Sequence, residues 1–215
     1  MSAAPLILHG YWRSGTSYRT RIALNAKGLA FEQVTHNLMA GEQRSEAFRA
    51  LNPQGLVPAL EADGEVLIQS TAIIEWLDER YPDPPLLPKA AGERAVVRAM
   101  SLMVACDVHP LNNVRVLNHL RSTFGAENAD VKAWAGHWIA EGFAALEAMI
   151  IRHGGQYCYG DSLTMADCHI VPQVYSAQRF SVPLDPYPRL VETIMRVREN
   201  PAVAAAHPDL QPDAA

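Results

Sequence analysis

The run YPDPPLLP at residues 81–88 constrains this chain most, because four prolines in eight residues can continue neither a helix nor a central strand. Before it, strand-like and helical patterns alternate; after it, every periodic stretch reads helical and no strand candidate is convincing. The expectation is a mixed unit over residues 1–82, a proline-rich linker at 83–88 and an all-helical unit over 89–215.

Within the first stretch, LILHGYW (6–12) is short, apolar and bounded by an Arg-Ser-Gly turn, the pattern of a buried strand. From Ser17 to Lys27 the period becomes helical, with Ile22, Ala23 and Ala26 on one face and Gly28 as the stop. FEQVTHN (31–37) alternates in polarity as a second strand does, and SEAFRAL (45–51) makes a helical turn or two before Asn52-Pro53. LVPALEADGEVLIQS holds two more strands joined at Asp63-Gly64, a hairpin dipeptide. STAIIEWLDERY (70–81) carries Ile73, Trp76 and Leu77 on one stripe and reads as an amphipathic helix. The order β-α-β-α-β-β-α implies a small mixed sheet covered by helices. Beyond the linker, long helical runs occupy about 90–121 and 129–153 and shorter ones follow; NPAVAAAHPDLQPDAA reads as a loose tail.

Charge and composition exclude several roles. With a formal net charge of −5 the chain has no basic surplus for nucleic acid, although local arginines can still make a pocket for small anions. No apolar run approaches the ~20 residues of a membrane span, and no basic segment followed by an apolar one opens the sequence. Cys106, Cys158 and Cys168 form no CxxC pair, so neither a disulfide framework nor a zinc site is indicated, and a reducing, cytoplasmic setting fits. The eight histidines show no HExxH or other close ligand spacing, which argues against a metal.

Four places can carry chemistry. Ser14, Gly15, Thr16 and Ser17 lie between a strand and a helix N-terminus, where unpaired N–H groups and the helix dipole favour an anion. Capping of that helix by Thr16 or Ser17, with Ser14 merely in the turn, uses the same geometry. Val57-Pro58 is either a cis step that exposes the Val57 backbone or a trans edge proline, and local sequence does not choose. Gln69-Ser70 opens the amphipathic helix, with Ser70 as the expected N-cap and a second anion site beside it. His109, Asn112, Asn113 and Arg115 surround Pro110 between apolar runs, which predicts a helix break lining a cleft. Thr164 and Asp167, by contrast, read as a structural capping pair, and Cys168 as a buried small residue.

These stretches together, WRSGTSYRTRIALNAKG, ALNPQGLVPAL, LIQSTAIIEWL, LTMADCHIVPQVYSAQRF and PLDPYPRL, resemble the zeta class of the glutathione transferase family, which includes maleylacetoacetate and maleylpyruvate isomerases. The resemblance covers almost the whole chain. It implies a thioredoxin-like N-terminal domain, an all-helical C-terminal domain and a homodimer. It implies glutathione as cofactor, held by Ser14, Gly15, Thr16, Gln43, a cis Val57-Pro58 step, Gln69, Ser70, His109 and Asn113. The family's turn typically reads Ser-Ser-Cys-Ser. Here Gly15 and Thr16 replace the middle pair, so no protein thiol serves the site, and Ser14, Thr16 or Ser17 supports the cofactor's sulfur. The Ser-Gly-Thr-Ser form looks more like the bacterial maleylpyruvate isomerases, and Arg13, Arg115 and Arg179 match their carboxylate-binding arginines. The implied reaction is cis-trans isomerisation of a small dicarboxylate by reversible thiolate addition. A conjugating transferase or dehalogenase and a non-catalytic glutathione-binding protein are the alternatives.

Overall fold

A computed structural model describes residues 5–214. The first of two compact units runs through β1 (Leu6–Gly10), α1 (Gly15–Ala26), β2 (Phe31–Thr35), α2 (Glu46–Leu51), β3 (Ala59–Ala62), β4 (Glu65–Ile68) and α3 (Ser70–Arg80). The strands form one sheet in the order β2-β1-β3-β4. β1 and β2 are parallel, which requires the α1 crossover, whereas β3 pairs antiparallel with both β1 and β4. Asp63 and Gly64 both take positive φ, 51° and 85°, as a tight hairpin requires. This is the thioredoxin-like order read from the sequence.

Leu8, Ile22, Leu24, Leu60, Ile73 and Leu77 are fully buried and form the centre of this unit. Each such side chain contributes roughly 1.5–3 kcal/mol. α1 ends where expected: Gly28 turns at φ 64°, its N–H donating to Asn25 O at 2.9 Å and that of Leu29 to Leu24 O at 3.0 Å. β1 stops at Gly10, two residues earlier than its apolar run, because the Ser14 N–H donates back to Tyr11 O and closes the turn there. A Cβ at Gly10 would lie 3.2 Å from Ser17 Oγ, so glycine lets the strand end approach the helix start.

The linker is anchored rather than slack. Lys27 Nζ donates to Asp78 Oδ1 and to Pro84 O, each at 2.6 Å, and the same carboxylate oxygen accepts from the Leu86 N–H. Both Val57-Pro58 and Asp83-Pro84 are cis.

The second unit, Leu87–Glu199, is helical: α4 (Ala91–Leu102), α5 (Val114–Phe124), α6 (Asn128–His153), α7 (Met165–Arg179) and α8 (Pro188–Val197). The run expected over 90–121 breaks as Pro110 predicts, into a π segment at Met103–Val108 and a 3-10 turn at His109–Asn112. Gly142 of α6 fits there because a Cβ at that position would collide with Val108 Cγ2.

Residues from Asn200 onward depart from the expected plan. The sequence assigns them to the helical unit and leaves the tail loose; instead they fold onto the first unit. Asn200 caps α9 (Pro201–Ala205), accepting from the Ala202 N–H. Asn25 Nδ2 then donates to Ala202 O at 3.1 Å and Arg21 Nε to Ala206 O at 3.1 Å. Two polar side chains of α1 thus find their acceptors in the tail, a long-range match that local periodicity does not contain.

Candidate active site

The first site forms at the start of α1. Ser14, with extended backbone, is the N-cap, and its Oγ accepts from the Ser17 N–H at 3.3 Å. The expectation that Thr16 or Ser17 caps this helix is therefore corrected. Ser17 is fully buried and its Oγ accepts from the Tyr11 N–H at 3.3 Å, which turns that hydroxyl inward. Thr16 Oγ1 donates to Val57 O at 2.9 Å and lies 2.9 Å from Ser14 Oγ. The one Thr16 proton is taken by a carbonyl, so the proton between the two hydroxyls belongs to Ser14. Ser14 thus holds a donor engaged only by another hydroxyl, and a stronger acceptor can redirect it. By helix geometry the Gly15 and Thr16 N–H groups have no intrahelical acceptor, and the first turn carries no acidic side chain.

Asn52 shapes the chain that meets this turn. Its Nδ2 donates to Leu56 O at 2.6 Å and its Oδ1 accepts from the Gln54 N–H at 3.0 Å, leading into the cis Val57-Pro58 step. Gly55 turns at φ 62°, where a Cβ would sit 3.0 Å from the Gln43 carbonyl. Gln43 lies on the 3-10 turn Glu42–Arg44 and is buried, yet its Oε1 has no hydrogen-bond partner. A buried amide oxygen left this way costs about 1–3 kcal/mol, which a ligand N–H would recover. That orphaned acceptor, the helix start and the Val57 backbone that Thr16 holds beside it fit a short peptide with amide groups and an anionic group.

At the second helix start Ser70 is not the N-cap. Gln69 takes that position at φ 69°, without a side-chain cap, and Ser70 is the first residue of α3. Such a φ is strained for a residue with a Cβ and marks a position held by its surroundings. Gln69 Nε2 donates to Gln54 Oε1 at 2.7 Å, joining this corner to the Asn52 loop. Ser70 Oγ accepts from Arg19 Nη1 at 3.4 Å. Arg19, 2% exposed within α1, escapes sequence reasoning; the signal was an arginine on a helix otherwise destined for burial.

Arg13 places its guanidinium 5.1 Å from the centre of the Trp12 ring, a cation–π contact. In the second unit, His109 opens the 3-10 turn and Asn113 caps α5, its Oδ1 accepting from the Arg115 N–H at 3.1 Å. Trp134 Nε1 pins the segment by donating to Leu111 O at 2.8 Å. Of the polar cluster foreseen here, Asn112 turns inward, donating to Val108 O, and Arg115 is exposed. Arg179 is exposed as the last residue of α7.

Titratable groups behind the site turn are also linked. His9 Nε2 donates to Glu61 Oε1 at 2.7 Å, and His9 Nδ1 lies 2.9 Å from His36 Nε2. Burial, and then the neighbouring His9, hold His36 below the ordinary histidine value, with Glu42 opposing. At the start of α7, burial pushes Asp167 above the usual carboxylate range against four hydrogen bonds that favour its ionised form. Burial likewise raises the Cys158 thiol well above its ordinary value, with Asp167 adding to the effect.

Comparison with known proteins agrees with this architecture. Residues 8–85 match the glutathione S-transferase N-terminal domain, and residues 116–206 match the glutathione S-transferase C-terminal domain. The chain is 51% identical over 210 residues to a maleylpyruvate isomerase of a Ralstonia species, covering 97% of this chain and 99% of that one. The holo structure of a maleylpyruvate isomerase, a bacterial zeta-class glutathione S-transferase, superposes with a TM-score of 0.95 at 51% identity, over 97% of this chain and 100% of that one. A maleylacetoacetate isomerase from Anaeromyxobacter dehalogenans, with dicarboxyethyl glutathione and citrate bound in its active site, superposes with a TM-score of 0.89 at 42% identity, covering both chains fully. The chain belongs to the glutathione S-transferase family, in its zeta class.

Proposed function

We propose that this protein is a glutathione-dependent isomerase that converts the cis double bond of maleylpyruvate or maleylacetoacetate to trans. The observation that carries the reading is the Ser14 cap, whose proton is free to turn from Thr16 toward an anion at the α1 start. Bound glutathione supplies a thiolate, which adds reversibly to the conjugated alkene and leaves after rotation about the resulting single bond, so none is consumed. Ser14, with the Gly15 and Thr16 N–H groups, holds the sulfur ionised, whereas a free thiol titrates near ~8.5. Thr16 steadies Val57, whose backbone receives the cysteinyl part of the cofactor, and Gln43 accepts one of its amide protons. Ser70 and Gln69, at the α3 start, take the γ-glutamyl carboxylate; His109 and Asn113 are assigned to the same tripeptide on the family resemblance. Ser17 is structural, because its hydroxyl is buried and occupied.

Arg13, Arg115 and Arg179 are assigned to the carboxylates of the substrate. A guanidinium binds a carboxylate in two places and keeps its charge, so one end of the substrate is held while the other turns. It also offsets the negative charge that develops on the conjugated carbonyl during addition. The dicarboxyethyl glutathione bound by the Anaeromyxobacter relative supports this reading, because it has the composition of a thiol added across a butenedioate.

The test is an absorbance assay on both substrates with and without glutathione. Turnover that requires catalytic glutathione supports the isomerase. Turnover without any thiol defeats it, and accumulation of an S-conjugate in place of the trans acid points to a conjugating transferase. The family resemblance also carries a homodimer into the proposal, and the cysteine usage a cytoplasmic setting; sedimentation at the mass of two chains checks the first. Among the described residues no helix is long and apolar enough to cross a membrane.

A further inference from the structure

We propose that the end of the chain is part of the active-site scaffold: Asp213 is a positioning residue that fixes the backbone from which Arg13 and Ser14 project. The inference rests on the function proposed above, since it concerns the same turn.

The argument starts from an unmet need. The β1 ladder ends at Gly10, which faces Thr35, and the Trp12 peptide lies beyond the last strand pairing. Trp12 is 9% exposed, so its N–H requires an acceptor that the sheet does not provide. That acceptor is Asp213 Oδ2 at 2.9 Å, reached across 201 residues of sequence. The other oxygen, Oδ1, accepts from Gln33 Nε2 on β2 at 3.1 Å, so the carboxylate is held on both sides. The opposite end of the same residue is also tied to the tail. Trp12 O accepts from Arg21 Nη2 at 2.9 Å, and Arg21 Nε donates to Ala206 O at 3.1 Å. Arg21 Nη1 reaches Tyr11 O at 3.5 Å, the carbonyl that also accepts from the Ser14 N–H at 3.0 Å. Both backbone polar groups of Trp12 are therefore fixed, one directly and one through a buried arginine, by groups on residues 206–213.

The fixed residue is the one that matters for the reaction. Its ring carries the Arg13 guanidinium, and its carbonyl precedes Arg13 and the Ser14 cap. A carboxylate accepting from a peptide N–H makes a charge-assisted bond, about twice as strong as a neutral one. Small displacements of such a turn are costly, because a shift of about 1 Å in a reacting group can lose on the order of 10²-fold in rate.

The experiment compares wild type with Asp213→Ala, Asp213→Asn, Gln33→Leu and a chain ending at Gln211. In protein without glutathione, hydrogen exchange of a peptide spanning residues 11–14 is expected to speed up about tenfold in Asp213→Ala and in the shortened chain. With glutathione bound, the pH midpoint of thiolate absorbance is expected to rise, and the KM for the dicarboxylate to rise several-fold. Asp213→Asn, which keeps an oxygen acceptor, is expected to recover part of each effect; Gln33→Leu is expected to move each less and in the same direction. Unchanged exchange and an unchanged thiolate midpoint in Asp213→Ala would overturn the inference. So would a lower melting temperature with both of those readouts unmoved, which is a purely structural role. A wild-type protein that ionises bound glutathione yet isomerises neither substrate would remove the proposed reaction and leave the role of the tail standing.

Discussion

Two helix starts in this molecule use the same local chemistry and reach opposite ends. At α1, Ser14 caps with a half-buried hydroxyl whose own proton is only loosely engaged, and the first turn has no acid. At α7, Thr164 and Asp167 form a reciprocal capping box in full burial. The Asp167 carboxylate there accepts from the Cys158 N–H at 2.8 Å, the Thr164 N–H at 2.8 Å and the Thr164 hydroxyl at 2.9 Å. The capping groups, the Thr164 hydroxyl and the Asp167 carboxylate, are buried and committed to partners within the chain, so that helix start is held as a staple. What separates a binding site from a joint is whether the capping group leaves its donors available, together with access to solvent. Helix geometry is the same in both.

The comparison breaks most visibly through Asp167→Ala. Two buried N–H groups lose their acceptor, and a destabilisation on the order of 3 kcal/mol or more is expected by denaturant titration. The folded fraction should still bind glutathione with normal affinity, and loss of binding by well-folded protein would erase the distinction between the two starts. Ser14→Ala is the mirror experiment. Removal of one preorganised donor predicts a loss on the order of 10² in kcat/KM, with only about 1 kcal/mol lost from stability. Thr16→Val sharpens the picture: it deletes the hydroxyl between Ser14 and Val57 while leaving the Ser14 donor. A roughly tenfold decrease in kcat/KM is expected for one neutral hydrogen bond and a less well held Val57. A larger loss than in Ser14→Ala would transfer the leading role to Thr16.

The smallest effect concerns acid. His36 sits behind the α1 turn, its N–H donating to Gly10 O and its ring beside His9 and Phe48. Its folded value lies below the ordinary ~6.5, so the unfolded chain binds the proton more readily. The stability this supplies is complete above about pH 6.5 and is lost as pH falls toward the folded value. Asp167 has the opposite sign: its raised value means that the folded state favours the proton, and acidification draws no stability through it. Denaturant midpoints at pH 7.5 and 5.5 are expected to differ less in His36→Gln than in wild type. Equal differences would remove His36 from the acid response.

Much of this was legible in the sequence, for identifiable reasons. Strand and helix periods, the Asp63-Gly64 hairpin, Gly28, the Thr164–Asp167 pair and the break at Pro110 are local signals, and each sits where the pattern put it. The departures are long-range. Ser17 looks like a cap until Tyr11 claims its hydroxyl from the end of β1. Ser70 looks like a cap until the chain arrives at Gln69 with a positive φ and a side chain held by Gln54, fifteen residues upstream. Local sequence leaves the Val57-Pro58 isomer open, and only the family resemblance indicates it. The small-residue tail reads as loose because its partners, Trp12, Arg21 and Gln33, lie some two hundred residues upstream.

The claim on which the rest depends is that the α1 start ionises a sulfur it does not own. Titration of thiolate absorbance for glutathione bound to wild type and to Ser14→Ala tests it most directly. The wild-type midpoint is expected well below the ~8.5 of an ordinary thiol, with the variant returning most of the way toward the free value. A wild-type midpoint equal to that of free glutathione, or one that Ser14→Ala leaves in place, would contradict it.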